Sequence, residues 1–341
     1  MGETVLITGV SGFIAKHIAL ALLQEGYRVR GTVRSAARAE QTSGTLEAAG
    51  ADVSRLSFVE ADLTGDEGWA EAVAGCSAVL NVASPFPQES PKDREALVPA
   101  ARDGALRVLT AALAADVPRF VQTSSLAAMA YRANRPSVVT IGEDDWTDPE
   151  WSKATAYVIS KTRAEKAVWE AADKANARDR IVTVNPGLVL GPTLDDRLDT
   201  SVLTIAQLMR GAYPVIPPFA FPIVDVRDVA AVHLAAVRST RVSGRRLMAA
   251  ADTLSYTQMM TILRRSFPHH AKKIPHFTPP DAVIRIGARF DPKMLNLVPD
   301  LGITPVANSS YATELTGVAF RSGEDSLLAT ARSLIDRHLV D

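Results

Sequence analysis

The sequence predicts an α/β fold: a doubly wound parallel sheet followed by a smaller, mostly helical C-terminal lobe. Three observations carry this. Short apolar, β-rich runs recur through the first half of the chain and alternate with amphipathic helical patterns, which is the signature of a parallel sheet covered on both faces. The first run leads straight into a glycine loop and a helix. After about Gly191 the alternation stops, and Pro192, Pro214, Pro217, Pro218 and Pro222 break up the pattern.

The elements follow in order. Val5-Leu6-Ile7-Thr8 reads as the first strand, and Ile14, Ile18, Ala21 and Leu22 mark one face of a helix that Gly26 closes. Further strands are expected at Arg28–Val33, Leu56–Val59, Val79–Ala83, Phe120–Ser124 and Ile181–Asn185. Helices are expected near Glu67–Val73, Asp93–Ala115 and Thr155–Ala177. The boundaries that follow are a dinucleotide-binding domain over 1–190 and a lobe over 191–341, with a segment near 223–250 returning to the main domain. In the lobe, helices read at Arg227–Arg238, Thr257–Phe267 and Ser326–His338.

Composition narrows the class. At 341 residues the chain can bury a large core, and a formal charge of −1 argues against a nucleic acid or a membrane surface as partner. Cys76 is the only cysteine, so no disulfide can form within the chain. That fits a reducing, cytoplasmic setting, and neither a secretory leader nor a membrane span is read. The oligomeric expectation is a monomer or homodimer. No cysteine, histidine and carboxylate spacing suggests a metal, and His269-His270 beside Lys272-Lys273 reads as a solvated turn.

The chemistry concentrates in two places. Gly9-x-x-Gly12-x-x-Ala15 joins the first strand to the first helix. Gly9 permits the tight turn, Gly12 lets a pyrophosphate approach the backbone, and Ala15 allows close helix–strand packing. The phosphates then meet free N–H groups at the helix N-terminus, which places Ser11, Phe13 and Ile14 beside them. At the end of the second strand an NAD enzyme commonly has a carboxylate for the ribose hydroxyls. Here Thr32-Val33-Arg34-Ser35 has none, and Arg34, with Arg38 nearby, suits a 2′-phosphate. The cofactor expected is therefore NADP, as NADPH, with NAD possible. Asp62 and Leu63 after the third strand are placed for the adenine, although Asp62 could equally be an N-cap. Val82, Ala83 and Ser84 follow the fourth strand near the cofactor's middle.

The second place is Tyr157-x-x-x-Lys161. Residues four apart share a helix face, so the phenol and ammonium point into one site. A phenol titrates near 10, and a neighbouring cation should lower that value towards the working range of an acid/base. Thr123-Ser124-Ser125, at the carboxyl end of the fifth strand, adds a hydroxyl at the same edge of the sheet.

These residues, in this order, resemble the extended short-chain dehydrogenase/reductases, and within them the group of dihydroflavonol 4-reductase and cinnamoyl-CoA reductase. Val5 to Ile14, Gly31 to Arg34, Val82 to Pro85, Thr123 to Ser125, Asp145 to Asp148, Tyr157 to Lys161, Asn185 to Pro192 and Val224 to Ala230 carry the likeness. The resemblance implies a Rossmann-type fold. It implies Ser125 as the catalytic serine, Tyr157 as acid/base and Lys161 as its partner. It also implies cofactor contacts for Thr123, Pro186 and Val189, and Arg34 as the 2′-phosphate ligand. Leu126-Ala127-Ala128-Met129 departs from the more polar stretch of plant members, which argues against a flavonoid-like substrate.

The expected activity is reduction of a hydrophobic aldehyde or ketone, a small-molecule carbonyl partner, with Phe86, Leu126, Tyr131, Tyr213, Phe219 and Phe221 as candidate pocket residues. An epimerase of the same superfamily, retaining NAD, and a non-catalytic dinucleotide sensor are the alternatives. Arg34 speaks against the first, and the Ser125/Tyr157/Lys161 set against the second.

Overall fold

The computed structural model describes residues 2–84, 91, 93–212, 215–290 and 298–340. Its centre is a seven-stranded, all-parallel sheet built from β1 (Thr4–Ile7), β2 (Arg28–Val33), β3 (Leu56–Glu60), β4 (Ala78–Asn81), β5 (Phe120–Thr123), β7 (Ile181–Pro186) and β10 (Arg245–Ala249). The spatial order is β3-β2-β1-β4-β5-β7-β10. The order reverses between β1 and β4, so the crevice above their carboxyl ends is the topological switch point.

The inner strands β1, β4, β5 and β7 are short and almost wholly buried, as parallel strands are when helices cover both faces, whereas the edge strand β3 has no fully buried residue. On one face, α1 (Phe13–Gln24) packs against α7 (Val226–Arg238), with Ile18, Leu22, Val229 and Val232 fully buried between helices and sheet. On the other, α3 (Trp69–Val73), α4 (Gly104–Ala114) and α5 (Ala156–Lys174) enclose a cluster around Trp69, Phe120, Trp169 and Ile181. Cys76 belongs to this second cluster. Its thiol faces the Ala72 carbonyl at 3.4 Å, and Arg30 donates to that same turn through the Ala72 and Ala74 carbonyls.

Several boundaries differ from the sequence expectation, each for a local reason. β4 ends at Asn81 rather than Ala83 because the N–H groups of Val82 and Ala83 turn inward to the Thr8 hydroxyl, at 3.0 and 2.9 Å. The helix expected over Asp93–Ala115 becomes a wide π-type turn at Pro99–Asp103 followed by α4, since proline cannot donate within a helix. The helix α2 (Ala36–Ala48) was not expected: it buries only Thr42, Thr45 and Leu46, so it has no apolar stripe to read.

The C-terminal half is less irregular than its prolines suggest. β8 (Leu188–Leu190), β9 (Ala220–Asp225) and β11 (Thr253–Ser255) form a three-stranded sheet, and β6 (Val138–Ile141) pairs with β12 (Thr304–Ala307). Pro222 sits inside β9, where a strand breaker was expected. It is tolerated because β8 pairs only with Ile223–Asp225, leaving Pro222 paired on one side alone. β10, from the same half, extends the main sheet beside β7.

Candidate active site

The glycine loop sits at the switch point between β1 and α1. Gly9 adopts φ +59°, and a Cβ there would stand 2.9 Å from the Ala83 Cβ. Its N–H donates to the Thr32 hydroxyl at 2.9 Å, which fixes the loop to β2. Gly12 precedes α1 in an extended conformation, and no side chain of its own caps the helix. The first turn thus presents backbone N–H groups to an anion. One of them already holds a carboxylate: Phe13 N–H donates to Asp199 Oδ2 at 2.7 Å, and Lys16, almost fully buried, pairs with Asp195. One N–H of this first turn is thus bonded to a carboxylate of the chain itself, the sign of charge a helix N-terminus favours.

Around it, the other cofactor candidates fall into two groups. Ser11, Gly12 and Ile14 are half-buried at the loop, with Phe13 buried behind them. Arg34 stands exposed at the end of β2 and makes no hydrogen bond or ion pair among the described residues, although its charge acts on Asp62. Asp62 caps its own turn through the Thr64 N–H and hydroxyl, at 2.8 and 2.7 Å, which holds its carboxyl below the usual range. It is not the cap of α3, whose N-cap is Gly68. Leu63 is half-buried and packs over Gly104. Val82, Ala83 and Ser84 are half-buried beside the loop, whereas Pro186 and Val189 are buried around the turn at Gly187. Only glycine fits there, because a Cβ would lie 2.2 Å from the Pro222 carbonyl oxygen. The Thr123 hydroxyl faces away, 2.8 Å from His233 Nε2 in the core. The Val229 carbonyl can only accept, so His233 Nδ1 carries the proton and Thr123 donates to Nε2.

Tyr157 and Lys161 lie in the first turns of α5, which Thr155 caps. Their spacing brings the Lys161 ammonium to 6.0 Å from the phenol ring centroid. Ser125 follows β5 and caps a short 3-10 turn by accepting from the Ala127 N–H at 3.1 Å. Its hydroxyl also hydrogen-bonds the Tyr157 phenol. The three side chains expected from sequence therefore meet at one edge of the sheet, on two different elements. Their electrostatics differ from expectation in one respect. Burial pushes the Tyr157 phenol up, against the lowering by its Ser125 hydrogen bond, so the phenol is held protonated. Burial likewise lowers Lys161 to about 8, opposed by the charge of Glu165.

The candidate pocket residues separate more widely. Tyr131 packs with Tyr157, Trp151 and Val98, and Arg135 lies over both aromatic rings, 4.9 Å from Tyr131 and 5.1 Å from Trp151. Arg135 is anchored to Asp300 at 2.7 Å, tying the loop after β5 to the C-terminal half. Leu126 is buried in a neighbouring cluster with Met129 and Met248. Phe219 and Phe221 pack edge-on at 6.5 Å, and Phe221 meets Tyr256 at 5.2 Å. Phe86 and Tyr213 lie outside the described residues. Trp151 and Arg135 were not anticipated; their only sequence signal was an aromatic and a cation flanking the Asp145–Asp148 stretch. Among the described residues no group of histidine, cysteine and carboxylates is placed to hold a metal.

A glycine loop at a switch point, with a serine, a phenol and an ammonium at the same sheet edge, is the arrangement of a dinucleotide-dependent α/β enzyme. The sequence matches the NAD dependent epimerase/dehydratase family over residues 5–249. It is 35% identical over 271 residues to cinnamoyl-CoA reductase 1 of Petunia hybrida, spanning 79% of each chain. It is 32% identical to tetraketide alpha-pyrone reductase 2 of Arabidopsis thaliana, over 78% of this chain and 83% of that one. Among solved structures, a yeast methylglyoxal/isovaleraldehyde reductase complexed with NADPH superposes with a TM-score of 0.81 at 28% identity, over 98% of this chain and 99% of that one. The chain belongs to the NAD dependent epimerase/dehydratase family, the extended short-chain dehydrogenase/reductases, and is an NAD(P)-dependent oxidoreductase.

Proposed function

We propose that the chain reduces a hydrophobic aldehyde or ketone to the alcohol with NADPH. The observation that carries the reading is the convergence of Ser125 and Tyr157, joined by a hydrogen bond, with Lys161 behind the phenol. The residues present fit the cofactor: Gly9 is a position that a Cβ would fill, and the α1 N-terminus already attracts a carboxylate. Gly9, Gly12 and the first N–H groups of α1 hold the pyrophosphate, and Arg34 holds the 2′-phosphate. When bound, NADPH supplies the hydride that the carbonyl carbon accepts.

The chain's own residues supply the proton. Tyr157, kept protonated by burial, donates to the carbonyl oxygen, while Ser125 orients the phenol and shares the developing charge. Lys161 offsets the charge left on the phenolate and holds ribose hydroxyls. Its value of about 8 leaves it a cation at neutral pH. Tyr131, Trp151 and the stacked Arg135 line an aromatic wall beside the phenol, which suits an apolar or aryl substrate.

The test is NADPH consumption against aryl and aliphatic aldehydes, ketones and diketones, with Tyr157→Phe alongside. The variant should lose at least about 100-fold in kcat while binding NADPH within about threefold of the parent. Undiminished turnover in Tyr157→Phe refutes the mechanism.

A further inference from the structure

Glu165 lies one helical turn beyond Lys161 on α5 and is 1% exposed. The chemistry proposed above does not use it. A buried carboxylate is costly unless it is paired and hydrogen-bonded, and this one is satisfied from four elements. Ser124 Oγ, after β5, donates to Oε2 at 2.6 Å, and Asn185 Nδ2 on β7 donates to the same oxygen at 2.8 Å. On Oε1 it receives Arg246 Nε from β10 at 2.7 Å, the Thr183 hydroxyl from β7 at 3.1 Å, and Trp169 Nε1 from its own helix at 3.4 Å.

Two of those donors lead to the reacting groups. Ser124 is the chain neighbour of Ser125. Asn185 Nδ2 also donates to the Ser125 backbone carbonyl, at 3.3 Å. A third connection is through space, because Glu165 and Lys161 share one face of α5.

We propose that Glu165 is a positioning residue for the reduction: through Ser124 and Asn185 it sets Ser125 against Tyr157, and from the same face of α5, one turn on, it sets its negative charge beside the Lys161 ammonium. This rests on the assignment of Ser125, Tyr157 and Lys161 made above. The groups around Lys161 favour the second half of the statement. Its own helix brings Tyr157 and Glu165. Around the carboxylate itself, Ser124 after β5 and Asn185 of β7, both neutral, meet one oxygen, and Arg246 of β10 meets the other. Burial lowers the Lys161 ammonium, and Glu165 is the charge that opposes it. Removing that charge leaves the Arg246 guanidinium uncompensated and drives the Lys161 proton off at lower pH.

Competitive acetylation of Lys161, followed by mass spectrometry from pH 5 to 10, reads its titration without any substrate. Glu165→Gln should move the midpoint at least about one unit below that of the parent, and Glu165→Asp should restore most of it. Cinnamaldehyde and methylglyoxal reduction by NADPH reads the positional half. Asn185→Ala keeps the carboxylate but cuts its link to Ser125, so kcat should fall about tenfold or more at every pH with the Lys161 midpoint unmoved. An unchanged midpoint in Glu165→Gln overturns the electrostatic role, and unchanged kcat in Asn185→Ala overturns the positional one. Should Glu165→Gln not fold, Arg246→Gln carries the charge test in reverse, raising the midpoint. Tyr157→Phe run in parallel separates the two readings. Turnover retained there refutes the proposed function, whereas turnover lost there with a parental Glu165→Gln titration refutes this inference alone.

Discussion

At the scale of single residues, the site is governed by what burial does to charge. Tyr157 is raised, so its phenol stays protonated, and Lys161 falls to about 8, so it remains a cation at neutral pH. The sequence pattern anticipated that these two residues and Ser125 would come together, because their spacing fixes a shared helix face and a shared sheet edge. It did not anticipate the direction of the Tyr157 shift, since spacing reports a neighbouring cation and says nothing of the desolvation that outweighs it. Glu165 was equally illegible: its five donors come from residues between 4 and 81 positions away, and only the fold collects them. The role proposed for Arg34 is the opposite case, because it depends on a strand end and not on packing. Replacing the arginine with glutamine should weaken NADPH about 10- to 100-fold in a fluorescence titration and leave NADH nearly unchanged. Equal losses for both cofactors would remove Arg34 from the 2′-phosphate site.

At the scale of elements, periodicity located what packing makes periodic. β1, β2, β7, α1, α5 and α7 present buried faces and were found within one to three residues. α2 escaped because its buried face is two threonines and a single leucine, and β8 and β11 because three residues cannot show alternation. The β1–α1 turn illustrates how little an element tolerates at its ends. Gly9 combines a left-handed φ of +59° with the approach of Ala83. Gly9→Ala should therefore cost about 1–3 kcal/mol in urea unfolding and abolish detectable NADPH binding. Paired with Ala83→Gly, it should recover part of the stability, since the contact is relieved while the φ remains unfavourable. Full binding by the single variant would show that the turn is not the phosphate cradle.

At the scale of the whole molecule, the parallel sheet was readable from strand–helix alternation, whereas the small C-terminal sheets were hidden behind prolines that pair on one side only. The fold also carries a pH liability. His17 on α1 and His233 on α7 are buried, and burial lowers each from 6.5 to about 4. Between those values the unfolded chain takes up protons that the folded chain refuses. Stability should therefore fall as pH drops from about 6.5 to 4, by up to about 3 kcal/mol for each histidine. Urea midpoints at pH 7 and pH 5 check this. His233→Gln should flatten the slope, and an identical slope in the variant would assign the acid sensitivity elsewhere.

Cys76 gives the molecule a single internal clock. It is the only thiol in the chain, 6% exposed, and burial pushes its ionisation up, so a thiol reagent reacts only when the cluster around Trp69 and Phe120 opens. Labelling by iodoacetamide under native conditions should proceed at the rate of that opening, with no competing cysteine to resolve. A ligand that binds only the closed form lengthens the interval between openings in proportion to its saturation. NADPH at about 100 times its Kd should slow the labelling about 100-fold, provided the opening also dismantles the cofactor site. If β4 and α3 open on their own, the rate will not respond, and the same measurement will mark the boundary of an independently unfolding unit.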